Sequence, residues 1–204
     1  MKLEIQQEKL KLYLEYKVIK DDEVVYIGEV NRMLLPKFRK ISFSDINGKE
    51  VCTLVQEDIK TFILSKIPII NWFRDFSCPY NLYFNGINSG FLREVQLGKK
   101  ESPDIYGEVD KRKYSIYMHT GNEYSIFIDD IQECLISQEH WKLGDGDIYN
   151  ILYSRNLKDE LAAIICILID ILWATIDISA SSLSYQKTWV IGGRKKDENW
   201  KPED

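Results

Sequence analysis

From Leu161 to Ala174 the only charged side chain is Asp170. A carboxylate inside such an apolar run has to be hydrogen-bonded or paired, because an unsatisfied buried charge is costly. At helical spacing Asp159, Ala163, Cys166, Asp170, Ala174 and Asp177 fall on one stripe. Two readings of this stripe stay open. In one, its small residues let a helix approach a wall, with Asp170 hydrogen-bonded near one end. In the other, Asp170 is the polar anchor of a narrow cavity beside the helix. In either case a Lys, Arg or Tyr from a strand end is the expected partner.

Other reactive residue types are sparse. His119 and His140 are the only histidines, and an isolated histidine is more often structural than catalytic. Cys52, Cys78, Cys134 and Cys166 lie far apart, without the close pairs that zinc or redox sites use. No Gly-x-Ser-x-Gly elbow and no phosphate-binding Gly-Lys-Ser/Thr loop occurs. Asp145-Gly146-Asp147 begins like a calcium loop, but Tyr149, Asn150 and Asn156 stand where an EF-hand needs a ligand, Gly and Glu. The residues therefore predict no metal, no cofactor and no enzymatic reaction.

Basic residues cluster at Lys37-Phe38-Arg39-Lys40, Lys99-Lys100, Lys111-Arg112-Lys113 and Arg194-Lys195-Lys196. Glu101, Asp104, Glu108 and Asp110 surround two of these clusters, and mixed charge weakens a local field. With 27 Lys and Arg against 32 Asp and Glu, the net charge of −5 disfavours nucleic acid as a partner. The first residues carry no apolar run of the kind a secretory signal needs, so a reduced cytoplasmic setting is expected.

The elements that must position these residues are mostly strands. Leu10, Leu12, Leu14, Tyr16 and Val18 alternate with polar residues, which gives a strand with one buried face. Asp21-Asp22 turns the chain into a strand at 24–30. Asn47-Gly48 joins strands at 38–46 and 49–56, and predicts a type I′ turn. Further strands are expected at 59–65, 80–85, 91–97, 105–109, 114–119, 124–128, 132–137 and 148–153, twelve in all. Lys66 to Pro79, with Trp72, Phe73 and Phe76, reads as an irregular aromatic excursion or short helix, with capping of one barrel end favoured over insertion into a membrane interface or partner groove. Asn156 is a plausible N-cap for a helix over 157–175, with Asp159 and Glu160 in its first turn.

A helix apolar on nearly all sides must be enclosed by protein or lipid. A membrane span is the poorer fit, since reaching about twenty residues takes in both Asp170 and Asp177. Twelve strands spaced about 4.8 Å apart and tilted about 40° would close into a barrel of radius roughly 12 Å, too wide for side chains alone to fill. A helix about 10–12 Å across supplies the missing filling.

Twelve antiparallel strands followed by an apolar C-terminal helix resemble the tubby C-terminal-like superfamily, which includes tubby proteins, phospholipid scramblases and LURP-one-related proteins. The residues that carry the resemblance are the hairpin Phe43-Ser44-Asp45-Ile46-Asn47-Gly48-Lys49-Glu50-Val51 and the helix start Leu157-Lys158-Asp159-Glu160-Leu161-Ala162-Ala163-Ile164-Ile165. The likeness implies a mainly β fold: a closed antiparallel barrel of about twelve strands wound round one central helix. It also implies a site for anionic lipid or phosphoinositide headgroups, for which Lys37, Arg39, Lys40, Lys111, Arg112 and Lys113 are the candidates. The chain departs from scramblases in lacking their acidic calcium ligands and cysteine-rich run.

The expected organisation is one domain over 1–176 and a C-terminal extension over 177–204, partly solvated or disordered. The expected function is a cytoplasmic, non-enzymatic binding or scaffold protein with a protein partner or small ligand. The alternative is a peripheral membrane module that reads anionic lipid.

Overall fold

The computed structural model describes residues 1–9, 13–31, 40–56, 79–95, 102–140, 146–173, 194–197 and 199–202. Twelve antiparallel strands form a closed barrel in which each pairs with its neighbours in sequence, and the first pairs with the last. They are β1 (Lys2–Lys9), β2 (Tyr13–Lys20), β3 (Glu23–Asn31), β4 (Lys40–Asp45), β5 (Glu50–Gln56) and β6 (Pro79–Phe84), then β7 (Ile87–Glu94), β8 (Ile105–Val109), β9 (Arg112–His119), β10 (Glu123–Ile128), β11 (Ile131–His140) and β12 (Asp147–Tyr153). One helix, α1 (Asp159–Trp173), follows β12.

Alternation explains most of the strands. Leu14, Tyr16 and Val18 turn inward from β2, Tyr149, Ile151 and Tyr153 from β12, and all are buried. Closure depends on β1, whose Leu3, Ile5 and Gln7 face inward at the same period. This strand is not among those expected from the sequence. The expected strand at 59–65 and the aromatic excursion through residue 78 lie outside the described residues. Ile5 stands opposite both Val18 of β2 and Tyr149 of β12, so β1 joins the two edges of what would otherwise be an open sheet.

The hairpins differ in detail from expectation. Asn47-Gly48 lies in a hairpin, but only Gly48 has positive φ (78°). The Asp45 carbonyl accepts from Gly48 N–H at 2.9 Å, and the Asp45 carboxylate accepts from the backbone N–H groups of Asn47 and Lys49 at 2.9 Å each. This is a three-residue loop with a bulge rather than a type I′ turn. The left-handed two-residue turns are Asp21-Asp22, Asn85-Gly86, Asp110-Lys111 and Asp129-Asp130. Gly90, just before the expected strand at 91–97, is inside β7. A Cβ there would lie 1.9 Å from the Glu108 carbonyl oxygen, so the glycine permits the close approach of β7 and β8.

Strand alternation places the β2–β3, β4–β5, β6–β7, β8–β9 and β10–β11 turns at one end, here the hairpin end. The start of β1 and the link from β12 to α1 lie there too. The helix rises from it toward the opposite loop end. Every residue from Leu161 to Ile171 is buried, and inward side chains of all the strands form one core cluster with them. The helix therefore fills the bore. Its N-cap is Lys158 rather than Asn156, because the Lys158 carbonyl accepts the first helical bond, from Ala162 N–H at 3.0 Å. No described helix is long and apolar enough to cross a membrane.

Candidate functional site

Three adjacent strands converge on Asp170. Tyr16 on β2 and Tyr149 on β12 donate their hydroxyls to its two carboxylate oxygens. Gln7, on β1 between them, donates from Nε2 to Asp170 Oδ2 at 2.6 Å and to the Tyr16 hydroxyl at 3.3 Å. Asp170 is 2% exposed, and the register that sets Gln7 opposite Tyr16 aims these donors into the bore near the loop end. Burial, then the Asp170 charge, pushes the Tyr16 and Tyr149 hydroxyls far above the ordinary tyrosine range, so both keep their protons and act as donors. Asp170 is hydrogen-bonded near one end of the barrel, the arrangement of the first of the two sequence readings. Tyr was among the anticipated partner types. Gln7 was missed, though its signal is plain: a polar residue at an inward position, two after Ile5. Gln7 Oε1 is buried without a hydrogen-bond partner among the described residues.

The other end of the helix is clamped at its first turn. Lys20 Nζ lies 2.5 Å from Asp159, the Tyr153 hydroxyl donates to Asp159 at 2.8 Å, and the Tyr26 hydroxyl donates to Glu160 at 2.9 Å. Acids there also suit the positive pole of the helix dipole. Beside this turn, Glu133 is the extra residue of a bulge in β11, opposite the Ile126–Phe127 step. It accepts from the Ser154 hydroxyl and, at 3.1 Å, from the Asn156 side-chain amide. These contacts tie the helix into the barrel at both ends.

The six candidate lipid-binding cations do not form one patch in the described structure. Lys37 and Arg39 lie outside the described residues. Lys40 opens β4 at the loop end and pairs with Glu50 at 3.0 Å. Lys111 lies in the β8–β9 turn and Arg112 and Lys113 begin β9, all at the hairpin end, where Arg112 pairs with Asp129 at 3.0 Å. Strand alternation thus sets Lys40 and Lys111–Lys113 at opposite ends.

Nucleophilic groups are shielded. Cys52, Cys134 and Cys166 are buried free thiols, with Cys52 pushed up to about 12 mainly by burial. His119 shares a 2.6 Å hydrogen bond with the Ser125 hydroxyl, and burial, then Lys196, holds it below the ordinary histidine value. Among the described residues no three His, Cys, Asp or Glu side chains gather as a metal site. On the outer wall, Lys2, Leu135, Ser137, Glu139, Asn150 and Leu152 line a shallow, open depression of about 350 Å³.

A further feature went unseen in the sequence. Among the described residues six large apolar side chains are exposed: Met1, Val24, Ile46, Ile87, Ile131 and Leu152. All lie at or beside the hairpin end, and Ile46, Ile87 and Ile131 are 65%, 71% and 62% exposed. Each is ordinary on its own in sequence; only the barrel brings them to one rim.

No family model, no curated protein and no solved structure matches this chain.

Proposed function

We propose that this chain is a cytoplasmic, non-enzymatic binding or scaffold protein of tubby-like build, which engages a protein partner through its exterior. The carrying observation is the filled bore. The space that a ligand would occupy in an open barrel is taken by buried side chains of α1, from Leu161 to Ile171. The remaining surface for recognition is the outside, and the hairpin end is the face we favour, since the most exposed large apolar side chains among the described residues, Ile46, Ile87 and Ile131, all lie at its turns.

A photo-crosslinking amino acid placed at Ile46, Ile87 or Ile131 tests this in cells, with Lys17 and Glu29 on the outer wall as controls. Discrete adducts from the rim and none from the controls support the reading. Equal adducts from both sets, or none from the rim, overturn it.

A second reading is a peripheral module that binds anionic lipid. One observation favours it: exposed Lys111 and Lys113 share the hairpin end with the aliphatic rim. Sedimentation with phosphatidylserine vesicles that is lost in Lys111→Glu/Lys113→Glu and at high salt would support this reading. Absence of sedimentation at low salt would remove it.

A further inference from the structure

The outer side of β10 is buried where an exposed face would be expected. Tyr124, Ile126 and Ile128 point into the bore, yet Ser125 and Phe127, on the outer side, are 0% and 4% exposed. Tyr117, next to them on β9, is also buried and meets Phe127 edge to face at 5.5 Å between ring centres. Residues Arg194–Asp197 run across this surface. The Arg194 guanidinium stacks 4.1 Å from the centre of the Phe127 ring, and its Nη1 and Nη2 reach the Asp130 carboxylate at 2.9 Å and the Asp130 carbonyl at 2.7 Å. Lys196 pairs with Glu123, and Asp197 N–H donates to Gln132 Oε1 at 2.9 Å.

These are the parts of a peptide-binding face: an aromatic plate, one carboxylate at each end of the strand and an amide that accepts from backbone. Arg194 and Lys196 are two residues apart, the spacing at which an extended chain presents side chains to the same side. Asp130 is 90% exposed on its side chain, so its ion pair with Arg194 is open to screening and exchange. The segment belongs to the same chain as the barrel, so a partner added in trans competes with an intramolecular ligand.

We propose that the outer face of β9–β11 is a docking site for an extended basic segment with Arg and Lys two residues apart. The chain's own Arg194–Asp197 occupies it in cis, and a partner carrying the same pair displaces it. The site borders the hairpin-end rim at the β10–β11 turn, where Asp130 and Gln132 flank Ile131, and extends from there along the barrel wall to Glu123.

The test uses the full chain with Arg194→Ala and Lys196→Ala, which disarm the tail but leave the barrel wall intact. Fluorescence anisotropy follows a labelled peptide of residues 192–202 added in trans. Binding at least tenfold tighter to the disarmed chain than to the unaltered one, with loss on adding Glu123→Gln and Asp130→Asn, is the expected result. Absence of saturable binding to the disarmed chain, equal binding with and without the tail residues, or indifference to Glu123 and Asp130 overturns the proposal. In the unaltered chain, millimolar peptide should shift the NMR amide signals of Ser125 and Phe127, and unmoved signals count against it.

Discussion

The Tyr149 hydroxyl on β12 donates to the Asp170 carboxylate on α1, so the last strand is bonded to the helix that follows it. Both groups are buried, and a hydrogen bond to a charged group contributes more than one between neutral partners. Tyr149→Phe should lower stability by about 1.5–3 kcal/mol, measured by urea unfolding, because Asp170 loses a donor where water cannot replace it. A change of under ~0.5 kcal/mol would show that Asp170 does not depend on this bond.

The same cluster predicts alkaline sensitivity. Burial holds Tyr16 and Tyr149 protonated well above the ordinary value of 10.0, and Tyr114 is pushed up to about 12. The unfolded chain loses these protons first, so their contribution is complete below pH ~10 and is lost as pH rises through the folded values. Unfolding midpoints should fall steeply between pH ~10 and ~12, and Tyr16→Phe/Tyr149→Phe should flatten that slope. An equally steep slope in the double variant would locate the linkage elsewhere.

Gly107 on β8 faces the β7 backbone. A Cβ there would stand 2.0 Å from the Phe91 carbonyl oxygen and 2.9 Å from Leu92 Cα, and backbone cannot swing aside. Gly107→Ala should cost about 1–3 kcal/mol by overpacking, read as a lower thermal midpoint.

Thiol labelling reports the filled interior. With Cys78→Ser as background, the folded chain should resist a disulfide-exchange reagent at pH 8, because Cys52, Cys134 and Cys166 are buried and their pKa values are raised. Denaturant should expose all three. Labelling of the folded chain within minutes would mean that the bore opens.

His119 senses the tail segment. Its pKa is lowered first by burial and then by Lys196, so Lys196→Ala should raise it part of the way toward 6.5 in an NMR titration. Because the folded form stays neutral where the unfolded chain takes up a proton, acidification below pH ~6.5 destabilises the protein, and less so in the variant. An unchanged His119 titration would place Lys196 away from the ring.

The sequence by itself determined most of the local elements, though not β1. Alternation in Leu14, Tyr16 and Val18 specifies a strand with one buried face, and the run from Leu161 to Ile171 specifies a helix that must be enclosed. Asp170 was legible as a buried anchor because one charge in such a run has to be satisfied. Tertiary structure alone decided which groups satisfy it. Gln7 and Asp170 are 163 positions apart, and they meet only because β1 closes the ring between β12 and β2. The rim of Ile46, Ile87 and Ile131, the separation of Lys40 from Lys111, and the seating of Arg194 on Phe127 have the same origin. Periodicity states which way a side chain points along its own strand. Ring closure and register state what it points at, and those are set by pairings between distant segments.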